Sequence, residues 1–349
     1  MTPTERPQLS IVHVVVTSSF AGVERYVCQV VNELAARGHQ VATIGGDPRR
    51  MREELVAGVE SRPAGTLSRA AMYLARSGKA DVVHVHMTAA EGAAWLAHPL
   101  QRAPVIATRH FARDRGSNPV ARALSRVTSR VISRDIAISS FVAEQISGAS
   151  TLIPNGVPDQ SQAELRSQTA VMLQRLNSEK APEIGVRAWS LSGLGDLGWR
   201  LVIAGDGELR PSLSRLVDEL GVAGSVEFLG QVTGTDDLLD NASMLLAPAP
   251  EEPFGLSVVE AMAHGIPVVA ARGGAHLETV GDDGVLFTVG DPSAAAAALV
   301  TLSRDRSLRM QMGADLRRRQ QERYSLSTHT DRLEELYRQV VDEVDHKPR

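Results

Sequence analysis

Two glutamates separated by seven residues could bind hydroxyl groups in this sequence. Glu252 and Glu260 flank the segment Pro-Phe-Gly-Leu-Ser-Val-Val. The prolines at its start and the apolar residues at its end predict a loop that leads into a helix packed against a sheet, with the helix beginning at Phe254. Glu260 would then lie on a helix that is otherwise nearly all core, where an unpaired carboxylate is costly. We therefore expect Glu260 to have a hydrogen-bond partner.

The start of this predicted helix offers a different kind of binding group. Side chains on a helix lean toward its N-terminus, so the Glu260 carboxylate is expected over the first turn. Glu252 is expected just before the same turn. The backbone N–H groups of Gly255, Leu256 and Ser257 are free there, at the positive end of the helix dipole. Amides that suit a phosphate thus lie between two carboxylates that suit hydroxyls. A sugar nucleotide carries its groups in this order.

The string from Glu252 to Ala270 resembles the donor-site signature of retaining glycosyltransferases of family 4. The resemblance implies an α/β protein with the GT-B fold, in which two Rossmann-like parallel-sheet domains face each other across a cleft. It also implies that Glu252 acts in catalysis and that the donor is bound by Phe254, Gly255, Leu256, Ser257 and Glu260. The alternative is that Glu252 only caps the helix dipole and that Glu260 pairs with an arginine.

Two cations in the segment Leu-Gln-Arg-Leu-Asn-Ser-Glu-Lys-Ala-Pro could balance a diphosphate. These residues, Arg175 and Lys180, follow the first predicted strand of the second half of the chain. The segment resembles the family's Gly-Arg-Leu-x3-Lys-Gly, whose cations clamp the donor diphosphate, although Gln174 and Ala181 replace the glycines. Lys180 is one of three lysines among 37 basic residues. The alternative is a pair of solvated loop charges.

The charge balance of this arrangement needs no metal ion. Two cations and a helix N-terminus can neutralise a leaving diphosphate, and no Asp-x-Asp triplet occurs in the sequence. We therefore expect no metal ligands and no cofactor apart from the nucleotide diphosphate sugar, which is a substrate.

Three further loops resemble ligand-binding loops of the family. Gly207 lies in a Gly-Asp-Gly turn, where the tolerance of glycine for tight turns is the alternative explanation. Gly230 and Gln231 follow the next strand, where the family commonly holds the nucleotide base. Phe-Ala-Gly-Val-Glu resembles the family's Gly-Gly-Val-Glu loop, with alanine for the first glycine. There we predict Gly22 as a phosphate contact and Glu24 as a weak acceptor contact, against the alternative of a plain turn.

Histidines end two of the predicted strands in the first half of the chain. Thr-Arg-His, ending at His110, resembles the family's Thr-x-His at the reacting centre and makes His110 a predicted catalytic residue. The alternative is a surface pair with Asp114. His86 is predicted to line the acceptor-binding surface, whereas His13 and His84 lie inside strands and are expected in the core.

Strand and helix patterns alternate along almost the whole chain and predict parallel sheets with right-handed crossovers. In the second half of the chain, the predicted strands include 200–204, 244–247 and 285–287. We expect four parts: an acceptor-binding domain, a linker, a donor-binding domain and a helix that crosses back to the first domain. Their predicted bounds are 1–158, 159–167, 168–325 and 326–349.

Composition places the chain among ordinary globular proteins. Its 349 residues are 43% hydrophobic and 22% charged, with a net charge of −4, and no nucleic-acid partner is expected. Neither a transmembrane segment nor a signal peptide is expected, and a single buried Cys28 favours the cytoplasm. Arg122, Arg126 and Arg130 fall four apart on one helix, where peripheral membrane contact is an alternative to the favoured solvated face.

These patterns favour one function over two others. We expect transfer of a sugar, with retention, from a UDP- or GDP-type donor to a hydroxyl of a small molecule or glycan. In a front-face mechanism the leaving phosphate would take the acceptor proton. The alternatives are a sugar-nucleotide epimerase on the same fold and a non-catalytic sugar-nucleotide-binding protein. The excess of arginine and alanine indicates a GC-rich bacterial genome, from which an antibiotic-tailoring enzyme of the orthosomycin type is a further hypothesis.

Overall fold

The computed structural model describes residues 7–112, 115, 125–232 and 234–346. Its internal contacts divide the chain into two compact units. The first domain comprises Met1–Gly156 together with Leu326–Arg349, and the second domain comprises Val157–Ser325. Each has its own parallel sheet and its own core.

The first domain is built on parallel strands in the order β3-β2-β1-β4-β5-β6-β7. The strands are β1 (Ser10–Val15), β2 (Gln40–Gly45), β3 (Glu60–Arg62), β4 (Val82–His86), β5 (Val105–Arg109), β6 (Ile132–Ala137) and β7 (Ser150–Leu152). The described helices between them are α1 (Gly22–Ala36), α2 (Pro48–Glu54), α3 (Leu67–Ala75), α4 (Thr88–Ala97) and α5 (Ser140–Gln145). This order reverses between β1 and β4, as in Rossmann-type sheets.

The central strands of this sheet are buried on both faces because helices cover them. Ile11, Val14, Val83 and Val85 are fully buried, which explains why β1 and β4 are almost uniformly apolar. Cys28 is buried on α1, as expected.

The last described helix, α13 (Leu326–Asp345), belongs to the first domain. Leu333 and Tyr337 are fully buried in the same core cluster as Ile11 of β1 and Val27 of α1. Arg37, at the end of α1, donates to Asp331 at 2.6 Å. Apolar packing thus holds α13 on the sheet.

The second domain has a parallel sheet in the order β10-β9-β8-β11-β12-β13. Its strands are β8 (Thr169–Leu173), β9 (Arg200–Ala204), β10 (Val226–Gly230), β11 (Met244–Ala247), β12 (Val268–Ala271) and β13 (Val285–Phe287). Its described helices are α6 (Pro182–Ser192), α7 (Arg210–Glu219), α8 (Asp236–Asp240), α9 (Leu256–Ala263), α10 (His276–Thr279), α11 (Pro292–Arg304) and α12 (Arg306–Arg323).

The polar stretch 159–167, which was predicted as a linker, is part of the second compact unit. Ala163 and Leu165 are buried, and the Ala163 N–H donates to the carbonyl of His264 at 2.8 Å. Of the predicted basic stripe, Arg126 and Arg130 are exposed and Arg122 lies outside the described residues. Among the described helices, none combines the length and the apolar composition that a membrane crossing requires.

Candidate active site

Loops after the strands of the second sheet meet at one edge. This follows from the parallel arrangement, which brings the carboxyl ends of all strands together. The loops after β8 and β9 are joined because the Leu176 N–H donates to the Asp206 carbonyl at 3.0 Å. The loops after β11 and β12 are joined because the Ala275 N–H donates to the Glu252 carbonyl at 2.8 Å.

Lys180 and Glu252 form an ion pair at this edge. The Lys180 Nζ lies 2.6 Å from Glu252 Oε2, although 72 residues separate them in the sequence. Their side chains are only 15% and 14% exposed. Charges that are withdrawn from water this far interact more strongly than a surface pair. The structure thus brings together a predicted cation and a predicted catalytic carboxylate.

The Glu252 carboxyl is held in its ionised form. Burial opposes ionisation, but the Lys180 ammonium, the nearby His276 and the Gly255 N–H outweigh it and lower the Glu252 pKa below its usual value. An ionised carboxylate accepts hydrogen bonds only. Lys180 and the Gly255 N–H do not exhaust the roughly four acceptor positions of a carboxylate, so Glu252 can also accept from hydroxyl groups.

His276 is a site residue that the sequence analysis missed. It is 1% exposed, and its Nδ1 donates to the Ala271 carbonyl at 3.1 Å. Burial lowers its pKa, so the neutral ring has its proton on Nδ1 and a bare Nε2. Its position in the loop-to-helix segment after β12, in Gly-Gly-Ala-His, is the signal that could have identified it.

Helix α9 begins two residues later than the sequence suggested. Gly255 has a left-handed backbone with φ of 86° and precedes the first helical residue, Leu256. Phe254 is buried, and its ring meets Tyr324 edge to face at 5.8 Å between centroids. Its side chain therefore anchors the loop, and the predicted donor contacts of this segment rest on Gly255, Leu256 and Ser257. Leu256 and Ser257 are half-buried.

Glu260 is half-buried on the second turn of α9. Its place on the helix agrees with the geometry used to predict it, since its side chain leans back over the helix start. The predicted contact with ribose hydroxyls stays a prediction.

Glycines fix the shape of the loops around the ion pair. A Cβ on Gly274 would lie 2.5 Å from the backbone nitrogen of Glu252. A Cβ on Gly207 would lie 2.5 Å from Asn177 Oδ1, so packing alone accounts for this glycine. Gly230 differs, because it has φ of 71° and nothing lies within 4 Å of its Cβ position. Its neighbour Gln231 is exposed.

The second predicted cation, Arg175, lies in a more open position. Its side chain is 56% exposed and forms an ion pair with Glu179. Arg272, an exposed cation that follows β12, was not predicted. Lys180 is therefore the cation that directly contacts the predicted catalytic carboxylate.

The predicted site residues of the first domain divide into surface and buried groups. His110 is half-buried and Gly22 is exposed at the start of α1. Asp114, the alternative partner of His110, lies outside the described residues.

Two acceptor contacts predicted from sequence need correction. His86 is fully buried, and its two ring nitrogens lie 3.1 Å from His13 and 3.1 Å from His110. Glu24 is 3% exposed and accepts from the Ala21 N–H at 2.7 Å. Neither side chain offers a free surface to an acceptor, because His86 lies within the sheet and Glu24 caps α1.

Comparisons with known proteins agree with this architecture. The model of the family described as glycosyl transferases group 1 matches residues 157–319, and that of Glycosyltransferase Family 4 matches residues 20–161. The crystal structure of Anabaena Alr3699/HepE in complex with UDP and glucose superposes with a TM-score of 0.80 at 18% identity, covering 94% of this chain and 99% of that chain.

Two relatives differ in how much of their length this chain covers. A D-inositol 3-phosphate glycosyltransferase of Thermobispora bispora is 26% identical over 94% of this chain and 92% of its own length. An exopolysaccharide phosphotransferase, SCO2592 of Streptomyces coelicolor, is 31% identical over 54% of this chain. This chain spans only 21% of the length of that phosphotransferase.

Two parallel-sheet domains of this topology have the GT-B fold, and both family models that match the chain describe glycosyltransferases. The two family models together account for most of the chain. The protein belongs to glycosyltransferase family 4.

Proposed function

We propose that this glycosyltransferase moves a sugar from a UDP- or GDP-type nucleotide sugar to a hydroxyl of a small molecule or glycan, with retention and without a metal ion. The largely buried Lys180–Glu252 pair beside the start of α9 is the observation that carries this proposal. A carboxylate next to an ammonium supports a site in which one group accepts sugar hydroxyls and the other binds phosphate. The UDP and glucose named with the Anabaena structure support a donor of this class.

Lys180 connects the two halves of the proposed donor site. An ammonium has three N–H donors, and the structure places one of them on Glu252. The remaining donors are available to diphosphate oxygens, alongside the backbone N–H groups at the start of α9. Glu252, held ionised, would accept hydroxyls of the transferred sugar. Glu260 would accept those of the ribose.

The proposed reaction is a front-face displacement. The bond from the anomeric carbon to the phosphate oxygen breaks, and a bond from that carbon to the acceptor oxygen forms on the same face. The acceptor proton passes to the leaving phosphate, so that atoms and charge balance. Lys180 and the more exposed Arg175 would stabilise the charge that develops on the diphosphate. His110 is proposed to contact the reacting groups.

The two other functions predict different behaviour. An epimerase would interconvert sugar nucleotides without an acceptor, and a binding protein would release no nucleoside diphosphate. Acceptor-dependent release of nucleoside diphosphate therefore separates all three. A panel of UDP-, GDP-, TDP- and ADP-linked sugars, screened by thermal stabilisation, identifies the donor.

The test of the site compares the two glutamates. Glu252→Gln should leave nucleotide diphosphate affinity nearly intact and lower kcat, because contacts to the reacting sugar strengthen in the transition state. Glu260→Gln should weaken binding of both nucleotide diphosphate and donor. Titration calorimetry and initial rates on the same preparations measure both effects.

Two outcomes would overturn the assignment. Unchanged turnover of Glu252→Gln would leave Glu252 with a capping role only. A glycosylated Glu252 trapped by rapid quench with a slow acceptor would make it a covalent nucleophile, and front-face attack would be wrong.

A further inference from the structure

A row of polar rings lies on one face of the first sheet. The register of neighbouring strands pairs His13 with His84 and His86 with Thr108. Since alternate residues of a strand share a face, His84 and His86 lie together, and His110 continues the row two residues beyond Thr108. Tyr26 of α1 and Tyr337 of α13 contact this face, and His329 of α13 contacts Tyr26.

One chain of hydrogen bonds through this cluster has a fixed direction. His329 Nδ1 lies 2.6 Å from the carbonyl oxygen of Pro154, which can only accept, so Nδ1 carries the proton. Burial lowers the His329 pKa to about 4. The neutral ring therefore has a bare Nε2, which accepts from the Tyr26 hydroxyl at 2.8 Å.

His84 forms its hydrogen bonds with other groups of this cluster. Its Nε2 lies 2.7 Å from Thr108 Oγ1, and its Nδ1 lies 2.6 Å from the Tyr337 hydroxyl oxygen. Both ring nitrogens of His84 are therefore occupied, and His84 is not part of the hydrogen-bonded path to His110.

A second chain of hydrogen bonds joins three imidazoles and ends at His110. His13 Nδ1 lies 3.1 Å from His86 Nε2, and His86 Nδ1 lies 3.1 Å from His110 Nε2. Burial lowers the pKa of both His13 and His110 to about 3 and that of His86 well below its usual value. All three rings are therefore neutral at pH 7, each with one donor and one acceptor. Because His86 has a single proton, both hydrogen bonds must run in the same direction.

The far end of this chain decides that direction. His13 Nε2 is buried and has no hydrogen-bond partner among the described residues. If the hydrogen bonds were donated toward His13, His13 Nε2 would be an unpaired buried N–H. If they are donated toward His110, His13 Nε2 is only an unused acceptor. Unpaired buried donors are rarer in proteins than unused acceptors.

We propose that His86, backed by His13, is a positioning residue that holds His110 in the tautomer with its proton on Nδ1. His86 Nδ1 donates to His110 Nε2, and His110 then offers Nδ1–H as its remaining ring group. The functional consequence rests on the proposed glycosyl transfer. His110 acts there as a neutral hydrogen-bond donor to a substrate oxygen and not as a general base. A neutral imidazole can serve in this way when its pKa is low.

Nitrogen NMR of protein labelled with ¹⁵N-histidine tests the tautomer directly. The His110 signals are assigned by their loss in His110→Gln. Near neutral pH we expect a protonated Nδ1 and a bare Nε2 on His110. A proton on Nε2, or an even mixture of the two tautomers, overturns the proposal. This measurement needs no activity, so it stands even if glycosyl transfer is absent.

Two substitutions at His86 test the positioning role. His86→Phe keeps a ring but removes the donor, and both His110 tautomers should then appear. His86→Asn restores an N–H near the position of Nδ1 and should recover the single tautomer. His84→Asn disturbs the same buried face outside the three-imidazole chain and serves as the control, with an unchanged His110 spectrum.

Kinetics give a second readout. In His86→Phe, kcat should fall about tenfold, the size of one hydrogen bond in the transition state, with KM changed less. His86→Asn should restore most of kcat. A His86→Phe protein that keeps the single His110 tautomer refutes the role of His86. If that variant does not fold, the wild-type spectrum still decides the tautomer.

Discussion

Acid should unfold the first domain before the second, because the first domain buries several uncharged histidines. Burial lowers the pKa of His13 to about 3 and that of His329 to about 4. Histidine in an unfolded chain titrates near pH ~6.5. Between these values the unfolded state binds more protons, so the stabilisation is complete above pH ~6.5 and is lost as the pH falls toward the folded values.

The size of this effect follows from the same pKa differences. At about pH 5, an unfolded histidine is mostly protonated and a folded one is not, which costs about 2 kcal/mol for each residue. His13 and His329, 0% and 1% exposed, are almost fully withdrawn from solvent. Together they should remove about 4 kcal/mol, a large part of the about 5–15 kcal/mol that stabilises a typical protein. His84 and His86 act in the same direction.

Hydrogen exchange read by mass spectrometry measures the two domains separately. Protection factors of peptides from β1 and β4, corrected for intrinsic exchange, should fall steeply from about pH 7 to about pH 5. Peptides from β8 and β11 should change less. His329→Gln should reduce the pH dependence of the protection factors in the first domain by the contribution of one histidine. His98→Gln, which alters an exposed residue, is the matched control.

Two results would refute this reasoning. One is an equal loss of protection in the two sheets over this pH range. The other is an unchanged pH slope in His329→Gln with a folded protein at neutral pH. Either would mean that the buried rings are not the source of the acid sensitivity.

Three further predictions concern the second domain. Gly274→Ala should lower the melting temperature and kcat, since the added Cβ would meet the Glu252 backbone. Gly290 also has a positive φ but open space around its Cβ position, so Gly290→Ala should lower the free energy of unfolding by only about 1 kcal/mol. Equal shifts of the melting temperature in the two variants would contradict this. Lys180→Ala should weaken nucleotide diphosphate binding by about 1.5–3 kcal/mol while leaving the free nucleoside unchanged. Arg175→Ala should weaken it less, because Arg175 is 56% exposed; calorimetry showing equal losses for nucleoside and diphosphate would rule out the clamp. Turnover should survive excess EDTA, and activity that vanishes with chelator and returns with magnesium would refute metal independence.

The strands that could be predicted are those with apolar runs. Arg200–Ala204, Met244–Ala247 and Val285–Phe287 have the bounds expected from such runs. The short strands Glu60–Arg62 and Ser150–Leu152 were not predicted. Both lie at the edges of the first sheet and are largely polar, so pairing with one neighbour defines them and no apolar run marks them.

The candidate site was predictable as a set of strand ends but not as a set of contacts. Glu252 and Lys180 were each expected at the edge of the second sheet, since each follows a parallel strand. Their direct pairing depends on how two loops fold over that edge. The later start of α9 arises because Gly255 takes a left-handed backbone that periodicity does not report.

The histidine row shows a different limit. The alternation His84-x-His86 and Thr108-x-His110 was visible in the sequence. The other rings of the cluster come from α1 and from α13 at the other end of the chain. Tyr337 reaches His84 across 253 residues, a contact that no local pattern predicts.

The division of the chain has a consequence for its synthesis on the ribosome. The first domain is encoded in two pieces, and the whole second domain is translated between them. The second domain can therefore complete its fold as a continuous segment while the first still lacks α13. Until Leu333 and Tyr337 emerge, the apolar face around Ile11 and the histidine row remain uncovered. A ribosome that stops before α13 would release a folded second domain attached to an uncovered sheet, which chaperones and proteases would recognise.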